Sequence, residues 1–513
     1  MKNVLGREIP DYIEGYREIK PFQGAFANYG IREKIGVKVS SVKPGEEKVL
    51  NSIDEALDKI ELRDGITISF HHHLRNGDFV LNNVVYAIAK RGIKDITIAA
   101  SSIFPVHEPL VEHMKNGVVT GIVANYISGP VARAISDGYL KKPAVMMTHG
   151  GRPRAIESGD LHIDIAFIGA PTADTYGNIN GVYGNAACGS LGYAVADAEY
   201  ADKVIAITDN LVPYPACPIE ISQIYVDYVV KVDSIGDPKG IVSGTTRITK
   251  DPVGLKIAKM ATKVIEASGL VKDGLSFQTG AGGTSLAVAA ELKELMKNKG
   301  VVGSFAAGGI TGYIVDMLKE GLFRNLFDVQ CFDLDAVESY RDNPKHQGMS
   351  GSMYGNPHNK GAVVNNLDVM ILGATEIDTN FNVNVTTGSD GVIMGGSGGH
   401  SDTAAGAKLA IVVTNLIKGR LPIIKDRVTT VTTPGESVDV VVTERGIAVN
   451  QNRKDLIEKL SNTNLPVMTI EELKELAEKM TGKPEAIETS DEVVAIVEYR
   501  DGTVIDVVRK PIA

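Results

Sequence analysis

The chain repeats itself. "DIAFIGAPTADTYGNIN" (164–180) set over "DVMILGATEIDTNFNVN" (368–384), a shift of 204 residues, matches at seven of 17 positions, and most remaining pairs are apolar for apolar. Upstream, "LRDGITISF" (62–70) has a counterpart in "VKDGLSF" (271–277). So long a period excludes a solenoid, whose units run to about 20–50 residues. Two related α/β halves are expected instead. The seam is expected in "VDSIGDPKGIVSG" (232–244), rich in Gly, Pro and Ser. This divides the 513 residues into 1–235 and 236–513.

The elements agree with that division. "DITIAAS" (95–101), "PAVMMTH" (143–149), "IDIAFIGA" (163–170), "KVIAIT" (203–208), "GLSFQTG" (274–280), "LDVMILGA" (367–374) and "AKLAIVVT" (407–414) are nearly continuous apolar runs. Such runs suit parallel strands covered on both faces. Between them, "TSLAVAAELKELMKN" (284–298) and "TGYIVDMLKEG" (311–321) have helical spacing. The fold class is therefore α/β. In the tail, "TIEELKELAEKMTG" (469–482) opens on a capping box from Thr469 to Glu472. "EVVAIVEYRDGTVIDVVRK" (492–510) predicts a hairpin turning at Asp501-Gly502. Helix and hairpin are expected as an appendage to the second half.

Charge and composition narrow the function. A formal net charge of -10 lacks the basic footprint of a nucleic-acid partner. No apolar run reaches the roughly 18 residues of a membrane span, and "MKNVLGREIPDYIEGYREIK" has no long apolar core of a secretory signal. Cys188, Cys217 and Cys331 are far apart and form neither a disulfide framework nor a zinc cluster. A cytoplasmic protein is expected.

Candidate chemistry sits where glycines follow strands. The repeat carries Thr172 in its first copy and Glu376 in its second. A carboxylate just past a buried strand is costly unless paired or put to use. "TGAGGTS" (279–285) lies between strand and helix, so Gly282 and Gly283 offer amides to an anion. It fails as a dinucleotide fingerprint, because the third glycine position holds Ser285 and no acid lies near residue 300. "GGSGGHSDTAAG" (395–406) holds Gly398 and Gly399, whose N–H groups suit an oxyanion. "THGGRPRAIESG" (148–159) gathers His149, Arg152 and Arg154, forks that match carboxylates. In "ISFHHHLRNGDF" (68–79), strand alternation puts His71 and His73 on one face, near Arg75. Half a zinc site, a packed strand end and a substrate contact are the three readings of that triplet.

Taken together, "DGITISFHHHLRNGD", "DIAFIGAPTADTYGNINGVYG", "ATEIDTNFNVNVTTGSDG", "GGSGGHSDTAAGAKL" and "TPGESVDVVVTERGIAVN" (433–450) resemble the citrate lyase alpha subunit almost end to end. One stretch, "SGSMYGNPHNKG" (350–361), is looser than the family's version. The resemblance implies a coenzyme A transferase-like fold of two α/β halves. It implies a citrate–acetyl-carrier transferase, which exchanges acetate for citrate on the thioester of an acyl carrier protein. The arm is of phosphopantetheine type, derived from dephospho-coenzyme A and borne by a separate gamma subunit, with coenzyme A as a substitute. A beta subunit then cleaves the citryl thioester to oxaloacetate and the acetyl carrier, so an oligomeric complex is implied, with no covalently bound cofactor and no metal on this chain.

By similarity to transferases that form an acyl–glutamate, Glu376 stands at the nucleophilic carboxylate. The citrate enzymes are grouped instead with those in which citrate's own carboxylate attacks in a ternary complex. Gly282, Gly283, Gly398 and Gly399 become oxyanion or thioester contacts, and His71, His73, Arg75 and Arg152 become contacts to citrate's remaining carboxylates. An acetyl-coenzyme A hydrolase, a transferase for another acid, and a non-catalytic metabolite-binding scaffold are the rival readings on the same fold.

Overall fold

The computed structural model describes residues 1–27, 45–242 and 247–512. Residues 243 and 244 of the expected seam lie outside the described residues. Two large sheets organise the rest. The first has ten strands, in spatial order Val49–Leu50, Tyr228–Lys231, Lys203–Thr208, Ile165–Gly169, Thr67–Phe70, Ile96–Ala100, Val119–Ala124, Ala144–Met146, Thr489–Glu498 and Val504–Pro511. The second has eight: His346–Gly348, Phe323–Cys331, Gly303–Ile310, Ser276–Thr279, Val369–Leu372, Leu409–Val413, Val440–Val442 and Ile447–Val449.

Each sheet contains a run of seven parallel strands, which Val49–Leu50 and Thr489–Glu498 extend in parallel at the two ends of the first sheet's run. Numbered in chain order within its own sheet, each set runs 4-3-2-1-5-6-7 in space. The apolar runs read from sequence are these strands, and their residues are almost all buried. The expected helices form as Gly283–Lys299 and Gly312–Lys319, on the connections between them.

The aligned 17-residue segments also fold alike. Thr172–Asp174 pairs antiparallel with Ile179–Asn180, and Glu376–Asp378 with Val383–Asn384. The registers correspond, Thr172 opposite Asn180 and Glu376 opposite Asn384. Each small hairpin gains a third, parallel strand from further along its own half, Leu211–Val212 or Ile424–Lys425.

The tail needs a correction. Helix Ile470–Thr481 forms with its capping box and packs its apolar side, Leu473 and Ala477, in the second half's core. The hairpin forms too, but it is no appendage to the second half. Thr489–Glu498 pairs in parallel with Ala144–Met146, so the hairpin completes the edge of the first sheet. Ile9, Ile13 and Ile19 cover it by packing on Ile496, Val504 and Val507. The reason is physical: Ala144–Met146 would otherwise be an open edge with unpaired backbone groups.

In both sheets the strand order reverses between strands one and five, the switch point beyond whose carboxyl ends open α/β sheets bind ligands. There the first sheet delivers His71–His73, after Phe70. The second delivers Gly280–Gly283, after Thr279, and Gly373–Glu376, after Leu372.

Candidate active site

The residues past the carboxyl ends of the two sheets meet one another. His149 N–H donates to the Gly398 carbonyl at 2.7 Å, and Gly398 N–H to the Asn125 carbonyl at 3.1 Å. Gln330, at the end of Phe323–Cys331, donates from Nε2 to the His72 carbonyl at 2.9 Å. Asp402 accepts from Thr148 Oγ1 at 2.9 Å and Gly150 N–H at 2.8 Å, and Arg500 of the closing hairpin lies 3.5 Å from it. Burial pushes the Asp402 carboxyl up to about 6, against the pull of Arg500.

The histidine triplet follows the strand, which ends at Phe70, and its rings stack, His71 on His73 at 5.9 Å and His72 on His73 at 6.4 Å. His71 Nε2 is 2.7 Å from Asp197 Oδ2, and Arg152 forks onto the same carboxylate at 2.9 and 2.8 Å. Burial alone would raise the Asp197 carboxyl, but Arg152 and His71 hold it below its ordinary range. Two of the expected citrate contacts, His71 and Arg152, are thus engaged with an internal acid. Nothing in the sequence advertises Asp197, which sits in the short helix Val195–Tyr200. His73 has no partner for its buried Nε2, and burial followed by His71 holds its pKa far below 6.5.

His72 has Nδ1 2.6 Å from Ser101 Oγ. Its ring stacks on Tyr193 (centroids 5.0 Å apart), and Tyr193 lies 4.5 Å from His149. Burial, with His149 next, keeps His72 neutral. Burial and then Arg152 lower His149 to about 3. Neither imidazole carries charge at neutral pH.

Arg75 supplies the charge. It adopts a left-handed φ of 52°, unusual for a non-glycine residue. Its guanidinium carbon lies 5.3 Å from the Phe104 ring centre and 5.1 Å from that of Phe332. No carboxylate pairs with it among the described residues, and its Nη1 is buried without a partner. Burial lowers its pKa. A desolvated arginine between two aromatic faces, lacking a counter-ion, is a receptor for an anion.

The loop of Gly398 and Gly399 borders this cleft, a Cβ on Gly398 falling 3.3 Å from His149 Nε2. A Cβ on Gly399 would collide with the Tyr354 hydroxyl, which accepts from Gln278 Nε2 at 2.8 Å. Gln278 lies on Ser276–Thr279, the strand that leads into Gly280–Gly283. Gly282 is the N-cap of a 17-residue helix with no side chain capping it. Gly398 and Gly399 precede helix His400–Gly406.

Glu376 is enclosed by donors and 0% exposed. Its Oε1 accepts from Ser389 (2.7 Å), Thr429 Oγ1 (3.1 Å) and the Lys425 ammonium, and its Oε2 from Asn384 (2.9 Å) and the Thr429 N–H (2.8 Å). Burial would raise its pKa, but Lys425 and the other donors outweigh this and lower it. Gln330, Tyr193 and Tyr354 are cleft residues that sequence reasoning missed.

Residues 46–511 match the family model described as "Citrate lyase, alpha subunit". The citrate lyase alpha chain of Haemophilus influenzae is 51% identical over 463 residues, covering 90% of this chain and 93% of that one. That of Klebsiella pneumoniae is 48% identical over 481 residues, covering 94% and 95%. A crystal structure from Streptococcus mutans, described as the alpha subunit of citrate lyase in complex with citrate, aligns over 100% of both chains with a TM-score of 0.96 and 52% identity. A Pseudomonas malonate decarboxylase shares the fold alone, at TM-score 0.63 and 17% identity over 86% of this chain and 84% of that one. The chain belongs to the citrate lyase alpha-subunit family.

Proposed function

We propose that this chain exchanges acetate for citrate on the thioester arm of an acyl carrier subunit. The observation that carries the reading is Arg75, a half-buried cation without a counter-ion among the described residues, in the cleft of a chain about half identical to citrate lyase alpha chains. A carboxylate of citrate attacks the acetyl thioester carbonyl. The C–S bond breaks and leaves a thiolate and a mixed anhydride. The thiolate then attacks the citryl carbonyl of that anhydride, and acetate departs. One thioester replaces another, so no energy source is consumed.

The saturation of Glu376 by donors supports citrate itself as the attacking group. Glu376 then positions its hairpin. Arg75 holds one of citrate's other carboxylates, in a pocket where neutral His72 and His149 add hydrogen-bonding capacity. The Gly398 N–H is taken by the Asn125 carbonyl, so the N–H of Gly399 and those opening the helix at Gly283 serve the developing oxyanion and the thioester. His71 and Arg152 support this wall through Asp197. The arm, derived from dephospho-coenzyme A, belongs to a gamma subunit, and the citryl product passes to a beta subunit that cleaves it.

The test is to incubate the purified chain with acetyl-coenzyme A and citrate and to follow acyl-coenzyme A species by mass spectrometry. Citryl-coenzyme A from citrate, with little product from succinate or butyrate, is expected. Free coenzyme A without a citryl product would replace the reading with a hydrolase. No turnover, even with the carrier subunit added, would leave a binding scaffold.

A further inference from the structure

Gln330 is 1% exposed, on the last turn of strand before the cleft. Its amide has a fixed sense. The His72 carbonyl only accepts, so the Gln330 NH2 must face it, and Oε1 must point the other way. That oxygen is buried and has no partner among the described residues. The same His72 carbonyl also accepts the Arg75 N–H at 3.0 Å, so the glutamine and the arginine share one turn of chain. Phe332, two residues beyond Gln330, is one of the two rings flanking the Arg75 guanidinium. One cradle therefore holds an orphan donor, Arg75 Nη1, and an orphan acceptor, Gln330 Oε1, which do not pair with each other. A buried acceptor left unmet is costly. The complement of this pair is a molecule with an anionic oxygen and, close to it, a hydrogen-bond donor. A polycarboxylate alone supplies only the first.

We infer that Gln330 is a specificity-determining residue that accepts a hydrogen bond from the hydroxyl of a hydroxy-polycarboxylate whose carboxylate is held by Arg75. This rests on the transferase reading above, with citrate as that acid. Citrate's tertiary hydroxyl sits on the carbon that bears one of its carboxylates, so both contacts fall within one small group.

The experiment compares citrate with tricarballylate, which is citrate without its hydroxyl, as acceptors for acetyl-coenzyme A. Wild-type protein and Gln330→Met, close in volume but without the acceptor, are both assayed. Wild-type kcat/KM is expected to favour citrate by about 100-fold or more, since sites that hydrogen-bond a substrate hydroxyl reject the analogue strongly. In Gln330→Met that ratio is expected to fall at least about tenfold, with the thioester KM unchanged. The ratio is internal to each preparation, so partial misfolding does not move it. A wild-type preference below about tenfold would overturn the inference even if the variant failed to fold. An unchanged ratio in the variant would do the same, as would a rise confined to the thioester KM, which would assign the oxygen to an amide of the arm. Each of these leaves citrate transfer standing, whereas no transfer by the wild type removes the underlying reading itself.

Discussion

Two arginines that look equivalent in sequence play opposite parts. Arg75 pairs with no acid among the described residues, and Arg152 is locked onto Asp197. Replacing Arg75 with Gln removes a charge-assisted contact of about 1.5–3 kcal/mol, so the citrate KM should rise about 10- to 100-fold while the melting temperature holds. Replacing Arg152 with Met strands a buried carboxylate, which typically costs about 3–5 kcal/mol. A fall in melting temperature should then dominate, read by calorimetry beside the steady-state assay. Glu376→Gln tests the remaining carboxylate. With citrate as the attacking group, kcat per folded molecule should stay within about tenfold of wild type, while Lys425, left with a neutral partner, weakens the hairpin. A loss of about a thousandfold or more in folded protein would return Glu376 to the reaction. The sequence singled out Glu376 through the mismatch with Thr172, but its donors come from residues 384, 389, 425 and 429, whose convergence no local pattern encodes.

At the scale of elements, the closing hairpin decides whether the first sheet is finished. Its Ile496, Val497, Tyr499, Val504 and Ile505 are each at most 1% exposed. At about 1.5–3 kcal/mol for each such side chain, their burial is comparable with the ~5–15 kcal/mol that stabilises a typical domain. Truncation before Thr489 should therefore yield protein that is insoluble or lacks a cooperative melt, checked by solubility and circular dichroism. Here the sequence was only half legible. The alternation and the Asp501-Gly502 turn announced a hairpin, and Thr469 with Glu472 announced the helix before it. The partner strand was hidden, because pairing with Ala144–Met146 is set by an unfilled edge on the far side of the chain. The parallel strands were legible for the opposite reason: burial on both faces writes itself into a run of apolar residues. Gln330 left no trace, being one polar residue at a strand end among many.

For the molecule as a whole, the buried ionisable groups pull in two directions. His72, His73, His149 and His400 are held neutral by burial, with His149 lowered to about 3 and His400 to about 4. Below pH ~6.5 the unfolded chain binds protons there that the folded chain refuses, so stability falls as pH drops. Burial raises Asp402 to about 6 and Glu220 to about 7, so these two are protonated in the fold at a pH where the unfolded chain has released them. Their sign is opposite: stability is recovered as pH falls through those values. Among these six groups, the four imidazoles that take up protons on unfolding near pH 5 outnumber the two carboxyls that release them, so their joint contribution to stability falls with pH. His149→Gln removes one of the four and should make the decline between pH 6 and 4.5 shallower by about 1.4 kcal/mol per unit, measured by denaturant titration across that range.

The return of the hairpin to the first sheet also sets a timetable for biosynthesis. Thr489 emerges from the ribosome 343 residues after Met146, the last residue of the strand it covers. At about 5–20 residues per second, that is roughly 17–70 s during which the nascent first half offers a bare strand edge to anything that can pair with it. The second half, whose strands lie between residues 276 and 449, is fully made within that wait. The part of the chain translated first is thus the last to be closed.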